Sequence, residues 1–251
     1  MLKKIFYKLH PQTYDDQFWW KKDDIEFWKN IFCFPKHSIL ELAAGTGRLA
    51  IPLVKQGHDY KGLELSETYC KHANKKLKTL NSNTLISSGD MRSFNLDQTF
   101  DNIFIGFNSL AHFLTNKDIK DCLSVIKNHM HSKTIFAIDI FVPEASFLYR
   151  DDDKKIDIMD FMDSTYNEKM HILESIDYNS STEINHISWQ FINTNDITRF
   201  DYEFDMRMYF PDTLNRMLTD CGYHINNLYG DYHGNKFDEN SEKQIYFCKQ
   251  D

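Results

Sequence analysis

From Ser38 to about Val142, short apolar runs alternate with stretches in which apolar residues recur every three or four positions. The runs "SILEL", "DYKGLEL", "TLISSGD", "DNIFIGF" and "KTIFAIDIFV" predict five strands. "GRLAIPLVKQG", "SETYCKHANKKLKTL" and "NKDIKDCLSVIKNHM" predict helices among them, the first stopped by Gly57 and the second capped by Ser66. Strands alternating with helices imply a parallel sheet covered on both faces.

After Pro143 the period changes to two. "KMHILESIDYN", "EINHISWQFINT" and "TRFDYEFDMRMYF" predict three long antiparallel strands. In the last, Phe200, Tyr202, Phe204, Met206 and Met208 share one face, and Asp201, Glu203, Asp205 and Arg207 share the other. The helix "PDTLNRMLTDCGY" follows, with Pro211 in its first turn and Gly222 at its stop, and then two closing strands, "HINNLYGDY" and "EKQIYFCKQ". The expected fold is α/β: a doubly wound, Rossmann-like, mostly parallel seven-stranded sheet with an inserted antiparallel β-sheet. Residues 1–37 are expected to form an aromatic-rich helical lid, 38–145 with 206–251 the main domain, and 146–205 the inserted sheet. The charge run "RDDDKK" at 150–155 reads as a solvated loop.

Composition narrows the partners. A net charge of -8 argues against a general nucleic-acid or anionic-membrane binder, which needs a basic footprint. The five cysteines are scattered and form no C-x-x-C pair, as expected of reduced thiols in a cytoplasmic protein. "MLKKIFYKLHPQ" lacks the apolar run of a signal peptide, and no stretch approaches the roughly 20 apolar residues of a membrane span. "HMH" at 129–131 reads as a helix end where cationic side chains suit the dipole, and no metal is expected.

The chemistry is concentrated in "SILELAAGTGRLAIPL". Gly45-Thr46-Gly47-Arg48-Leu49-Ala50 fits the dinucleotide pattern G-x-G-x-x-G/A. Glu64 follows Gly45 by 19 residues and ends the second strand, where a carboxylate can accept both ribose hydroxyls of an adenosine cofactor. Two features favour a cationic cofactor over a dinucleotide. Glu41 stands just before the turn, where its carboxylate would repel a pyrophosphate and attract a sulfonium or ammonium. Asp90 and Met91 end the third strand, where an acid can accept from an adenine amine and a methionine can pack on the ring. A plain turn or cap role is the alternative for Asp90.

"ILELAAGTGRLAIPL", "GLELS", "SSGDMRSF" and "FDNIFIGFNSLAHFLT" resemble the successive motifs of class I S-adenosylmethionine-dependent methyltransferases over roughly residues 38–142. Within that family "GLELS…GDMR…NSLAHF" is similar to small-molecule N-methyltransferases, including those acting on amino groups of nucleotide-linked sugars. The resemblance implies a cofactor site lined by Glu41, Ala43, Gly45, Glu64, Leu65, Asp90, Met91 and Phe107. Ala43 replaces the common glycine, which is tolerable if its φ is negative.

The implied activity is methyl transfer to a small-molecule acceptor, at an amine nitrogen, by in-line displacement. His112 is the candidate base, or else a residue that only shapes the pocket. Asn108 in the same loop is a candidate to orient the acceptor, or a loop cap. In similar enzymes the N-terminal region is a lid with a tyrosine near the methionine part of the cofactor, which points to Tyr14, with Trp20 as pocket wall. The inserted sheet is expected to form the acceptor pocket. Arg207 there would bind an acceptor carboxylate or phosphate, or pair with Asp205 or a neighbour. An O-methyltransferase, an NAD-dependent dehydrogenase and a non-catalytic cofactor-binding protein are the alternatives, and a homodimer is left open.

Overall fold

The computed structural model describes residues 9–33, 36–80, 84–151 and 154–250. Of the stretch 1–12 read as lacking a signal peptide, residues 1–8 lie outside the described residues, as do 152 and 153 of the run 150–155. In chain order the helices are α1 Pro11–Gln17, α2 Asp23–Ile31, α3 Ala50–Lys55, α4 Glu67–Lys78, α5 Asn116–Lys127, α6 Ala145–Leu148 and α7 Pro211–Asp220. The strands are β1 Ser38–Leu42, β2 Asp59–Glu64, β3 Ile86–Ser88, β4 Phe100–Ile105, β5 Met130–Phe141, β6 Ile156–Asp163, β7 Glu168–Asn179, β8 Ile184–Asn193, β9 Thr198–Arg207, β10 Tyr223–Tyr229 and β11 Lys243–Gln250.

The chain divides into two compact units. The larger comprises Lys22–Val142 and the residues from Tyr209 onward. Its seven-stranded sheet has the order β3-β2-β1-β4-β5-β11-β10. The pairings among β1 to β5 are parallel, and β11 runs antiparallel to both its neighbours. The doubly wound sheet and all seven of its strands are therefore those read from the sequence. Ile39, Leu40, Leu42, Ile103, Phe104 and Ile105 on the two central strands are fully buried, as near-continuous apolar runs require. On α2, Asp23, Asp24 and Glu26 occupy the first turn and Lys29 the last, which suits the helix dipole. This helix buries Phe27 and Trp28, and the Trp28 ring lies 4.8 Å from that of Phe104. Each such aromatic contributes roughly 2–3 kcal/mol of transfer free energy, enough to anchor a helix too short to be stable alone.

The smaller unit comprises the described residues of 1–21 with Pro143–Met208. Its sheet is four-stranded and antiparallel, in the order β6-β7-β8-β9, one strand more than the sequence pattern predicts. The missed strand is β6. A register shift between Asp157 and Met159 breaks its alternation, so "IDIMDFMD" does not read with period two. On β9 Tyr202 and Phe204 are buried and Asp201 and Glu203 exposed, as the alternation predicts, whereas Arg207, expected on the wet face, is buried. Helix α1 packs on β6, where Thr13 Oγ1 donates to Asp163 Oδ2 at 2.8 Å and the Ser164 amide donates to Asp16 Oδ2 at 2.6 Å. The stretch expected to act as one lid thus falls into α1 in the smaller unit and α2 in the larger. Arg150 does not belong to a solvated loop: its guanidinium pairs with Glu174, and both side chains are largely buried.

Candidate active site

Sequence places the turn between β1 and α3 in a backbone conformation that few side chains accept. Ala43, Gly45 and Gly47 have φ values of 58, 55 and 79°, all in the left-handed region. A Cβ on Gly47 would come within 3.1 Å of Ala73 Cβ, so close packing of α4 requires this glycine. A Cβ on Gly45 would meet nothing within 4 Å, so the turn borders open space there. The condition set for Ala43, a negative φ, is not met. Its methyl group is carried at a left-handed position, at a cost of roughly 1–2 kcal/mol.

Two buried carboxyl groups flank this turn. Glu64, at the end of β2, accepts the Gly45 amide on Oε2 at 2.9 Å and the Ser66 amide on Oε1 at 2.8 Å. Ser66 in turn caps α4 by accepting the Tyr69 amide. Leu65, between them, is exposed. Glu41 on β1 lies in register with Gly62 of β2 and Phe104 of β4. A Cβ on Gly62 would stand 2.7 Å from Ile86 Cγ1, 3.0 Å from Ala44 Cβ and 3.2 Å from the Tyr60 hydroxyl, which donates to Glu41 Oε2. Burial pushes the Glu41 carboxyl up to about 8, against the opposing pull of the Tyr60 hydrogen bond and Arg48. From the sequence alone Glu41 is a standing negative charge. Burial favours its protonated form, because desolvation outweighs both partners.

Asp90, beyond the end of β3, is held on both oxygens by Arg92, with Nη2 at 2.7 Å from Oδ2 and Nε at 3.0 Å from Oδ1. It also accepts the Arg92 amide at 2.9 Å, which is the turn role weighed against adenine binding. Arg92 bridges onward to Asp118 at the start of α5. Met91 is half-buried beside it.

The loop after β4 contains a second strained feature. Phe107 and Asn108 have φ of 50 and 62° in succession. Left-handed non-glycine residues cost of order 1–3 kcal/mol each and persist only where their surroundings over-determine them. Here the Phe107 amide donates to Asp139 Oδ2 at 3.1 Å and the Asn108 amide donates to the Asp139 carbonyl at 3.0 Å. The Phe141 amide donates to Asn108 Oδ1 at 2.8 Å. Arg48 lies 4.6 Å from the centre of the Phe107 ring and is gripped at both terminal nitrogens by the fully buried Asp24 of α2. The pair leads into a 3-10 turn, Ser109–His112, which carries the half-buried His112 at its end.

Glu41, Ala43, Gly45, Glu64, Leu65, Asp90, Met91, Phe107, Asn108 and His112 therefore all belong to the larger unit, at or just past the carboxyl ends of β1, β2, β3 and β4. Tyr14, Trp20 and Arg207 belong to the smaller unit. Tyr14 is half-buried, 4.9 Å from the Phe18 ring and packed on the antiparallel sheet's core. Trp20 is 49% exposed. Arg207 is buried and pairs with Glu183 at 3.1 Å, not with Asp205, which takes His186 at 2.7 Å. The register decides this, because Asp205 faces His186 across the ladder while Arg207 faces Ile184, next to Glu183.

The reading of "HMH" needs a correction. His129 is buried, accepts the Leu96 amide on Nε2 at 3.0 Å and directs Nδ1 at the Val125 carbonyl. That pattern needs a proton on Nδ1 alone, so His129 is a neutral core histidine and not a cation on the dipole. Asp157, Asp160 and His171 on β6 and β7 form a surface group close enough to share an ion, but Lys169 already pairs with Asp160. Four contributors escaped the sequence reading: Asp24, Arg48, Asp139 and Tyr232, whose hydroxyl donates to Asp139 Oδ2 at 2.7 Å. Only Asp139 left a signal, as the one charge inside the apolar run "IFAIDIFV".

Residues 39–133 match the family model of a methyltransferase domain. YqeM of Bacillus subtilis (strain 168), whose name describes a methyltransferase, is 23% identical over 220 residues, covering 84% of this chain and 83% of its own. The dTDP-3-amino-3,4,6-trideoxy-alpha-D-glucopyranose N,N-dimethyltransferase of Streptomyces venezuelae is 28% identical over 102 residues, 41% of either chain. The crystal structure of an S-adenosylmethionine-dependent methyltransferase from Clostridium acetobutylicum ATCC 824 superposes with a TM-score of 0.77 at 18% identity, covering 94% of this chain and 96% of that one. A methyltransferase domain thus spans the parallel strands, with the two carboxyl groups of Glu41 and Glu64 about its left-handed turn, and the chain shares the fold of S-adenosylmethionine-dependent methyltransferases.

Proposed function

We propose that this chain transfers a methyl group from S-adenosylmethionine to an amine nitrogen of a small molecule, with an amino sugar as the acceptor class. The observation that carries the reading is the pair of buried carboxyl groups, Glu41 and Glu64, on either side of a turn that borders open space at Gly45. The residues fit the cofactor. A carboxylate offers about four acceptor positions, more than the Gly45 and Ser66 amides take, so Glu64 can also accept ribose hydroxyls. A cationic group beside Glu41 would favour its ionised form, whereas a pyrophosphate would gain nothing from it. Leu65 is assigned to the ribose, Asp90 and Met91 to the adenine, Ala43 and Phe107 to the rest of the cofactor, and Asn108 to the acceptor.

When bound, the cofactor supplies an electrophilic methyl group on a sulfonium. The protein's own part is to hold the amine nitrogen about 3 Å away and in line, in a site from which water is excluded. An amine reaches the site as an ammonium, so a proton must leave before nitrogen can attack. His112 takes that proton, and Asn108 orients the acceptor. The amine acceptor is favoured by the likeness to the Streptomyces venezuelae enzyme, whose name specifies N,N-dimethylation of an amino sugar.

Incubating the protein with S-adenosylmethionine and a dTDP-linked 3-amino sugar tests the reading by mass spectrometry. Addition of one or two methyl groups to the amine supports it. Methyl addition to a hydroxyl alone, or none to any amine in a panel of amino sugars, would count against it.

A further inference from the structure

Asp139 is fully buried near the end of β5, yet nothing in the proposed chemistry uses its carboxylate. Burying a carboxyl group costs stability unless it is bound from several sides, so its contacts indicate its task. Its Oδ2 accepts both the Phe107 amide at 3.1 Å and the Tyr232 hydroxyl at 2.7 Å. Its main-chain carbonyl accepts the Asn108 amide at 3.0 Å. Lys243 Nζ stands 3.9 Å from Oδ1 and 4.5 Å from the centre of the Tyr232 ring. Tyr232 also packs its ring 5.6 Å from Phe27 of α2. One side chain on β5 therefore ties the loop after β4 to the loop between β10 and β11.

We infer that Asp139 is a positioning residue for the acceptor step: it locks Phe107 and Asn108 in their left-handed conformation and so fixes the turn that presents His112. The geometry is specific. The two left-handed residues are consecutive, and Asp139 binds the amide of each, one through its side chain and one through its main chain. Tyr232 donates to the same carboxyl oxygen as the Phe107 amide, so removing its hydroxyl should loosen the same turn by a smaller amount. Alanine at 139 keeps the main-chain acceptor and loses the side-chain one. Asparagine keeps one acceptor oxygen and loses the second, the one that faces Lys243. The effects are ordered Tyr232→Phe, then Asp139→Asn, then Asp139→Ala.

The inference rests on the proposed function for its catalytic meaning but not for its physical test. Amide hydrogen exchange of the protein alone is measured on a peptide spanning 106–113, with peptides from β1 and β2 as folding controls. Asp139→Ala is expected to speed exchange of the 106–113 peptide at least tenfold, Tyr232→Phe two- to fivefold, and the controls not at all. With a dTDP-linked 3-amino sugar as acceptor and saturating S-adenosylmethionine, Asp139→Ala is expected to lower kcat at least tenfold, a larger factor than the rise in the Kd of S-adenosylhomocysteine, whose site includes Phe107. Unchanged exchange in Asp139→Ala with intact controls overturns the inference, as does a fall in kcat matched by an equal loss of cofactor affinity. A wild-type chain that methylates no amine defeats the proposed function instead, and the exchange result still decides the positioning.

Discussion

The Tyr60 hydroxyl donates a hydrogen bond to Glu41 inside the core of the larger unit, and this pair makes the proton on Glu41 part of the cofactor question. Burial lifts the Glu41 carboxyl from 4.5 to about 8. Recruiting a cation to an ionised Glu41 therefore releases a proton below pH 8. The Kd of S-adenosylmethionine is expected to tighten by up to about tenfold per pH unit between pH 6 and 8 and to level off above. Glu41→Gln should bind more weakly at pH 9 and lose this slope. Calorimetric titrations across the pH range check both.

The same proton affects stability with the opposite trend. Between 4.5 and about 8 the folded protein keeps a proton on Glu41 that the unfolded chain has lost, so this group's contribution falls as pH rises through that window. Glu41→Gln should raise Tm relative to wild type at pH 8 by more than it does at pH 5. Equal shifts at the two pH values would show that Glu41 stays ionised when buried.

Asp24 and Arg48 join α2 to the turn through a two-pronged ion pair, and the Asp24 side chain is fully buried. Breaking a buried pair from one side leaves a charge without compensation, at roughly 3–5 kcal/mol. Asp24→Ala should lose about that much in urea unfolding. Replacing both residues should cost less than the sum of the single changes, and strict additivity would mean that the pair does not couple.

Ala43 carries its methyl group at a φ of 58°. Glycine removes the left-handed penalty but gives the unfolded chain more freedom, which offsets part of the gain by about 0.4–1 kcal/mol. Ala43→Gly should leave the protein as stable as wild type or more so, by up to about 1 kcal/mol, with S-adenosylmethionine affinity retained. A loss of more than that in chemical denaturation would mean the methyl group contributes packing that outweighs its strain.

His112 is expected to act on turnover and not on cofactor binding. His112→Gln should lower kcat by about 100-fold or more, the range for a general base, with the Kd of S-adenosylhomocysteine unchanged. A variant with normal kcat would leave His112 only a shaping role.

What could be read from the sequence was whatever local pattern dictates. The alternation of strands and helices over residues 38–142 fixes the parallel sheet, and the spacing from Gly45 to Glu64 brings a carboxylate to the turn, where it accepts the Gly45 amide. Strand β6 was hidden because its bulge at Asp157 spoils the period-two pattern. Partners set by tertiary register were hidden too: Arg207 turns to Glu183, Asp24 to Arg48, and Tyr232 to Asp139 across 93 positions. Charge state was the least legible. Glu41 reads as an anion and His129 as a cation, yet burial and hydrogen bonding make the first proton-bearing and the second neutral.

The central claim is that the turn at Gly45 with Glu64 holds S-adenosylmethionine. Isothermal titration of wild type and Glu64→Ala with S-adenosylmethionine, and with NAD as the competing ligand, tests it most directly. Saturable one-to-one binding of S-adenosylmethionine to wild type is expected, weakened at least 100-fold in Glu64→Ala, with no saturable binding of NAD. Saturable NAD binding without S-adenosylmethionine binding, or full affinity in a folded Glu64→Ala protein, would contradict it.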